Sequence, residues 1–537
     1  MLAILLAIRL PEGDNARNVR VALNLRGGDL MMRADGRAPS MASATSILLI
    51  LAVLFGPSTL ALGQGVGTEA KTPNPPGVDF FNLTLQQTRA LSRTKNFEVV
   101  GHSYFKGPWL TPFAQQTGIG AGFNTPRVYD GIAYLAGYAS PITLFAILIA
   151  DVRDPANMNV LSVIPCKPGT RCPYLRVNTG RHILIATHDT NRDNPRQPQA
   201  GDAAGAGVGF YDISNPRRPK GLGFLVTREN GATHGFDIDD RYVYACANTP
   251  PTKDPKFGGG NQEVVIIDYG DPGHPTLVST VHIQGQHTGE TFEPRDRQTP
   301  EQTPQHIWCH EIIKHKDRLY VAWRDAGLVI IDVSVPSAPK IISRLDYVPP
   351  FSGGSLGAAH TAAPVIVNPT AYPKLVVVND EIFDCPPGIT RIVDISDLSN
   401  PQFISNYRIP AVDDNYNDQT GKFVCAGTVQ SSHLPWFDYR SSGLIYQAWY
   451  DQGLHAWDIS NPYTPREVGY YFSPRYPCTG PCGGGYPGAV HQHSDRHVRE
   501  VFQDPATGLL YATDGNGGGL TVLRWTGPIP RPPMPLH

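Results

Sequence analysis

GLVIIDVSVPSAP, residues 327–339, is the stretch on which the fold turns. A β-branched run ends at Asp332, a short polar turn follows, and Pro336 closes it. The same ending recurs at Asp151–Pro155, Asp212–Pro216, Asp268–Pro272, Asp394–Pro401 and Asp458–Pro462, so the aspartates fall 56 to 64 residues apart. Each ending follows a strand-like run such as VGFYDI, EVVIIDY, TRIVDI or GLHAWDI. An earlier run precedes that one (RHILIATH, RYVYACA, RLYVAWR, KLVVVND, GLIYQAW, GLLYATD), and most endings lead into another (KGLGFLV, TLVSTVHI, KIISRLDY, QFISNYRI, REVGYYF). Four short strands with two apolar faces cannot cover themselves. Stacking such units radially buries both faces and leaves only short edges. With a seventh strand at Leu520–Trp525, the pattern predicts an all-β, seven-bladed propeller of four-stranded blades over residues 96–526. NFEVVGHSYF, Asn96 to Phe105, matches a fourth strand but stands before the first ending. It is expected to be the outer strand of the last blade, closing the ring and covering an edge.

GLVIIDVSVPSAP, GLHAWDISNPYTP (453–465) and VGFYDISNPRRP (208–219) resemble the LVIVD-repeat proteins, within the wider WD-like propeller group. The resemblance covers about residues 96–526. It implies the propeller fold and an exported protein, and it says little about activity.

Net charge is −2 with 17% charged residues, which offers no basic face for nucleic acid. Gly (54) and Pro (50) suit many turns between short strands. SILLILAVLF, Ser46 to Phe55, follows Arg33 and Arg37 and precedes the small residues at Ala61–Gly63. It reads as a signal peptide cleaved near Gly63, being too short to span a bilayer, with an uncleaved anchor as the alternative. Residues 1–63 are therefore assigned to an upstream extension and signal peptide, 64–95 to a linker and 527–537 to a Pro-rich tail. Met31, Met32 or Met41 is a more natural start than Met1. The mature chain is expected to be secreted or periplasmic with no integral membrane span. Eight cysteines then suit disulfides, with Cys166/Cys172, Cys478/Cys482, Cys246/Cys309 and Cys385/Cys425 as candidate pairs.

Aligning the repeats puts a histidine at the start of the channel-lining strand: His234, His310, His360, His433 and His497, with Asn124 and Cys172 in the first two blades. A second series, Asp189, Asp325, Asp380, Asp451 and Asp514, ends the next strand. Within blades this suggests the pairs His310–Asp325, His360–Asp380, His433–Asp451 and His497–Asp514. Two readings stand. The pairs hold each blade together, as in WD-like repeats, or converging imidazoles bind copper, iron or zinc, with the aspartates behind them as orienting partners. His491, His493 and the cysteines at 478 and 482 suit a zinc site or a small disulfide loop. His182, His188 and His455 read as structural.

Loops entering the histidines (283–309, 411–432, 472–496) and leaving the aspartates (189–207, 248–262) vary in length, and in a propeller they share one face. Such asymmetry marks a binding face, near which Trp308, Trp323, Trp436 and Trp449 stack on a ligand or pack between blades. No phosphate loop, H-E-x-x-H helix or nucleophile elbow occurs. The expected function is an exported propeller presenting its top face to a small-molecule ligand or protein partner. The alternative is a metal-dependent oxidoreductase or lyase using the histidine ring.

Overall fold

The computed structural model describes residues 3–10, 17–26, 29–34, 78–137, 143–190, 205–253, 261–290, 307–345, 359–382, 388–410, 416–417, 422–423, 431–474 and 498–533. Ser46–Phe55, Gly63, Cys385, Cys425, Cys478, Cys482, His491, His493 and His497 lie outside them. The chain divides into two units, residues Met1–Val66 and Gly67–His537. In the first, Ala3–Leu10, Arg17–Arg26 and Asp29–Ala34 form an antiparallel sheet.

The second unit is a propeller of seven blades, each built on four antiparallel strands that run in chain order from the axis outward in the first six. Their first strands are Phe123–Tyr129, Leu175–Asn178, Thr233–Ile238, Glu311–His315, Ala359–Pro364, Pro435–Asp438 and Val498–Gln503. The second and third strands are covered on both faces by neighbouring blades, so most of their residues are buried and apolar. Leu319–Ala322 and Leu328–Ile331 of the fourth blade are wholly buried. Fourth strands face solvent and alternate less strictly, as Lys340–Leu345 does.

The last blade takes its fourth strand from the front of the chain. Phe97–Ser103 pairs antiparallel with Leu520–Trp525, placing Phe97 opposite Trp525 and Ser103 opposite Leu520. Just upstream, Arg93–Lys95 adds a fifth strand to the sixth blade, against Tyr470–Phe472.

Among the described residues two disulfides are present, Cys166–Cys172 and Cys246–Cys309, and the second ties the third blade to the fourth. Trp323 and Trp449 are fully buried, so they pack between blades. Trp436 stacks on Phe502 with ring centroids 4.8 Å apart. His188 and His455 are buried in their blades, bonded to Thr170 and Tyr211 and to the Gln452 carbonyl respectively. Among the described residues no helix is long and apolar enough to cross a membrane.

Candidate functional site

Two belts of side chains meet at the end of the channel where the first strands begin. The first belt consists of the residues just before, or at the start of, those strands. Ladder register sets its members. His310 donates its amide to the Ala322 carbonyl and His433 does the same to Ala448. Counting by the same register gives Asn124, Pro173, His234, His310, His360, His433 and Arg499 from the first blade to the seventh. Four histidines of the aligned series therefore fall together. Cys172 does not belong, because it is spent in the disulfide with Cys166 and Pro173 holds its place. In the seventh blade the register position belongs to Arg499, while His497 is outside the described residues.

The belt is continuous. Ring centroids are 4.8 Å apart for His234–His310, 4.1 Å for His310–His360 and 4.2 Å for His360–His433. Arg499 donates to the Asn124 side-chain oxygen at 3.0 Å, and the Asn124 amide donates to the Pro173 carbonyl at 3.0 Å. Tyr174 meets His234 edge to face, with ring centroids 4.7 Å apart, and completes the circuit.

The second belt comes from the ends of the second strands. Ile183, Tyr242, Arg318, Leu375 and Leu444 each pair with the aspartate of their Asp-Pro ending. Six residues on from each stand Asp189, Asn248, Arg324, Glu381 and Tyr450. Glu381 is the centre of the site. Its carboxylate lies 3.6 Å from Nε2 of His360, 3.9 Å from that of His433 and 4.0 Å from that of His310. Arg324 reaches it at 2.8 Å and the Tyr450 hydroxyl donates to it. Arg499 in turn donates to Tyr450 at 3.3 Å. Every one of these side chains is buried. Arg324 (φ 42°) and Tyr450 (φ 45°) both hold left-handed backbone, which costs a non-glycine residue about 1–3 kcal/mol and clusters at functional sites.

Proton positions follow from partners. The Nδ1 of His310 lies 3.3 Å from the His360 carbonyl, which can only accept, so Nδ1 carries the hydrogen and Nε2 presents its lone pair to Glu381. Burial, then the charge of Arg324, holds His310 and His360 well below the ordinary imidazole range, so both are neutral. Burial opposes ionisation of Glu381, but Arg324, His433 and Arg499 outweigh it and bring its pKa down to about 2. One ligand atom each from His310, His360 and Glu381 falls within 4.8 Å of the others.

The aspartate series divides. Asp189 accepts from His234 Nδ1 at 2.7 Å, and this pair crosses between blades. Asp380 is ion-paired with Arg391 of its own blade, while His360 turns to Thr361 and Glu381. Asp514 accepts the amides of Asn516 and Gly518 and closes a turn. Asp325 and Asp451 are buried one residue beyond Arg324 and Tyr450. The within-blade His–Asp alignment therefore mixed three register positions. Glu381, Arg324, Tyr450 and Arg499 were missed, although counting from the Asp-Pro endings reaches the first three.

Below the histidines the channel is lined by charge. Arg176 bonds Glu311 at 3.1 Å and approaches Asp237 at 3.4 Å, and Arg127 faces Glu500 at 3.9 Å. Burial pushes Glu311 up to about 8 despite Arg176.

The chain matches the LVIVD repeat family over residues 317–346 and 391–409. No curated protein matches it. Among solved structures it is similar to the computationally designed Ika8 protein (10% identity, 75% of this chain and 96% of that one, TM-score 0.39). It is also similar to the WD40 propeller domain of Doa1 (9%, 80% and 96%, 0.44) and to a protein from Lactobacillus plantarum (14%, 76% and 96%, 0.42). Scores of that size carry no argument, and the fold rests on the strand pairings above. The matched LVIVD repeats thus lie in two neighbouring blades of a ring of seven four-stranded sheets.

Proposed function

We propose that this propeller is built around a transition-metal centre at the mouth of its channel, with His310, His360 and Glu381 as ligands and His433 beside them. The observation that carries it is the convergence of three Nε2 atoms, from three successive blades, on one carboxylate. Ligands bound at about 2.0–2.2 Å to one ion stand roughly 3–4 Å from each other, and each Nε2 stands at such a distance from the Glu381 carboxylate. Neutral imidazole is the ligating form, and the His360 carbonyl fixes the His310 tautomer as outer partners of metal-bound histidines do. Copper, iron and zinc all accept such a donor set. When bound, the ion would supply Lewis acidity or redox chemistry to a small molecule held against the top face, with Arg324 and Arg499 favouring an anionic group on it. The reading therefore leans to a metal-dependent enzyme.

One observation favours the other reading, a metal-free face that binds a ligand or protein partner. Arg324 already balances the charge of Glu381. We also place the mature protein outside the cytoplasm, a proposal supported by its two disulfides.

Metal analysis of the tag-free chain recovered from a secreting host tests these points together. The expected result is a stoichiometric equivalent of copper, iron or zinc that disappears in His360→Ala, on a chain whose N-terminus begins at Gln64. Equal metal content in wild type and His360→Ala would leave the binding propeller as the answer. Retention of residues 1–63 would remove the export proposal.

A further inference from the structure

We propose a second metal site on the third blade, formed by Glu263, His282 and His287 and oriented by Glu290, that takes a zinc-like divalent ion. It is separate from the channel cluster and does not depend on it. Glu263 opens the third strand of that blade (Glu263–Asp268), and His282 immediately follows the fourth (Thr276–Val281). The antiparallel register sets Val264 opposite Val281, so the residue before the one and the residue after the other become neighbours. His287 and Glu290 are then delivered by a compact loop.

That loop is fixed by its own hydrogen bonds. The Gln286 side chain accepts the Ile283 amide at 2.8 Å and donates to the Gln262 carbonyl at 2.6 Å. Cys309, held by its disulfide to Cys246, donates its amide to the same carbonyl. Gly285 (φ 103°) and Gly289 (φ 90°) supply the left-handed turns.

One ligand atom each from Glu263, His282 and His287 lies within 4.8 Å of the others. His287 Nε2 is 3.0 Å from Glu263 Oε2, and the other Glu263 oxygen takes the Thr249 hydroxyl. His282 Nε2 is 3.1 Å from Glu290 Oε1, and the other Glu290 oxygen takes the amides of Gly285 and His287 at 2.9 and 3.0 Å. Each carboxylate thus has one oxygen tied back and one aimed at an imidazole, the arrangement that orients metal ligands.

The two imidazoles stack nearly parallel, 3.6 Å between centroids and 16° between planes. The cluster thus brings two imidazoles and two carboxylates together, with Glu263 wholly buried. Imidazole and carboxylate together suit zinc and its first-row neighbours. The His282 and His287 side chains are 31% and 22% exposed, which leaves an entry path.

The test is zinc titration by calorimetry, with cobalt absorption as a second readout, on the EDTA-treated, tag-free His360→Ala chain, in which the channel cluster has lost a ligand. One saturable equivalent is expected. Adding His282→Gln and His287→Gln should abolish it, and Glu290→Gln alone should weaken it about 10–100-fold. Absence of saturable binding in His360→Ala, or binding that survives the paired histidine replacement, would overturn the site. Should the paired variant not fold, single His282→Gln, on the more exposed ring, decides the same point: an unchanged cobalt spectrum overturns the site and a lost one supports it.

Discussion

Arg324, Glu381 and Tyr450 occupy one register position in three successive blades, six residues beyond the strand residue that faces the Asp-Pro aspartate. The histidines beside them were legible in the sequence, because each stands just ahead of a recognisable strand or at its start. Their partners were not. Asp325 and Asp451 sit one residue past the position and Asp380 one short of it, and in a pleated strand a one-residue slip reverses the side chain. A carboxylate series aligned by residue type therefore selected neighbours of the residues that converge on the channel histidines. Arg324 also gives the proposed metal centre a test. Replacing it with Gln removes a positive charge 2.8 Å from Glu381. The metal-free protein should lose about 3 kcal/mol, since a buried carboxylate is left without its counter-charge. Added zinc or copper should then raise the melting temperature of Arg324→Gln more than that of wild type, the ion replacing the lost cation. Equal metal-induced shifts in the two proteins would mean that no ion binds at Glu381.

At the scale of the strand, blades join through a feature the repeats hide. In every blade the ladder between third and fourth strands shifts register between the residues two and one before the aspartate position. The fourth-strand residue at that shift is small: Ser162, Gly223, Ser279, Ser343, Ser405, Gly469 and Gly101. Ser162 donates to the Pro216 carbonyl of the next blade at 2.6 Å, and Ser279 does likewise to Pro336. At Gly101 and Gly223 the proline carbonyl occupies the space of a side chain, and at Gly469 the Trp525 ring and the Lys95 carbonyl do. A Cβ on Gly223 would lie 2.3 Å from the Pro272 oxygen. Blade 5 departs from the rule, its ending lengthened to Asp394–Pro401, and there the Ser343 hydroxyl has no hydrogen-bond partner. The Asp-Pro ending was readable as a turn, and all six aspartates accept the amide two residues on, as Asp458 does from Ser460 at 2.8 Å. Its second role, as the plug for the preceding blade, joins residues about 50 positions apart and left no local pattern. Gly223→Ala should cost about 1–3 kcal/mol through overpacking, whereas Gly221→Ala, with open space around its Cβ, should be neutral or slightly stabilising. Similar melting temperatures for the two variants would show that the joint yields freely.

At the scale of the molecule, a 56–64-residue period and a constant strand order made the propeller and its blade count readable, because each repeat carries the same unmet need for a neighbour. The loops of the top face follow no such rule, and both candidate metal clusters draw on residues that the repeat does not dictate. Ring integrity rests on the N-terminal segment. Phe97 packs on Trp525 and Tyr446 with centroids 5.0 and 5.9 Å away, Arg524 meets Glu98, and Gly101 faces the Pro155 carbonyl of the first blade. This strand therefore supplies the seventh blade's outer edge and that blade's joint to the first, while Arg93–Lys95 holds the sixth. Deleting residues 1–63 removes none of these contacts and should leave the melting temperature unchanged. Deleting residues 1–105 exposes the edge of Leu520–Trp525 and breaks the joint, so the propeller should lose cooperative unfolding or fail to stay soluble. Phe97→Ala grades the same effect in a soluble chain, at about 3–5 kcal/mol for a buried aromatic. Equal stability of the two truncations, with Phe97→Ala near neutral, would mean that the seventh blade stands on three strands and the ring is held from within.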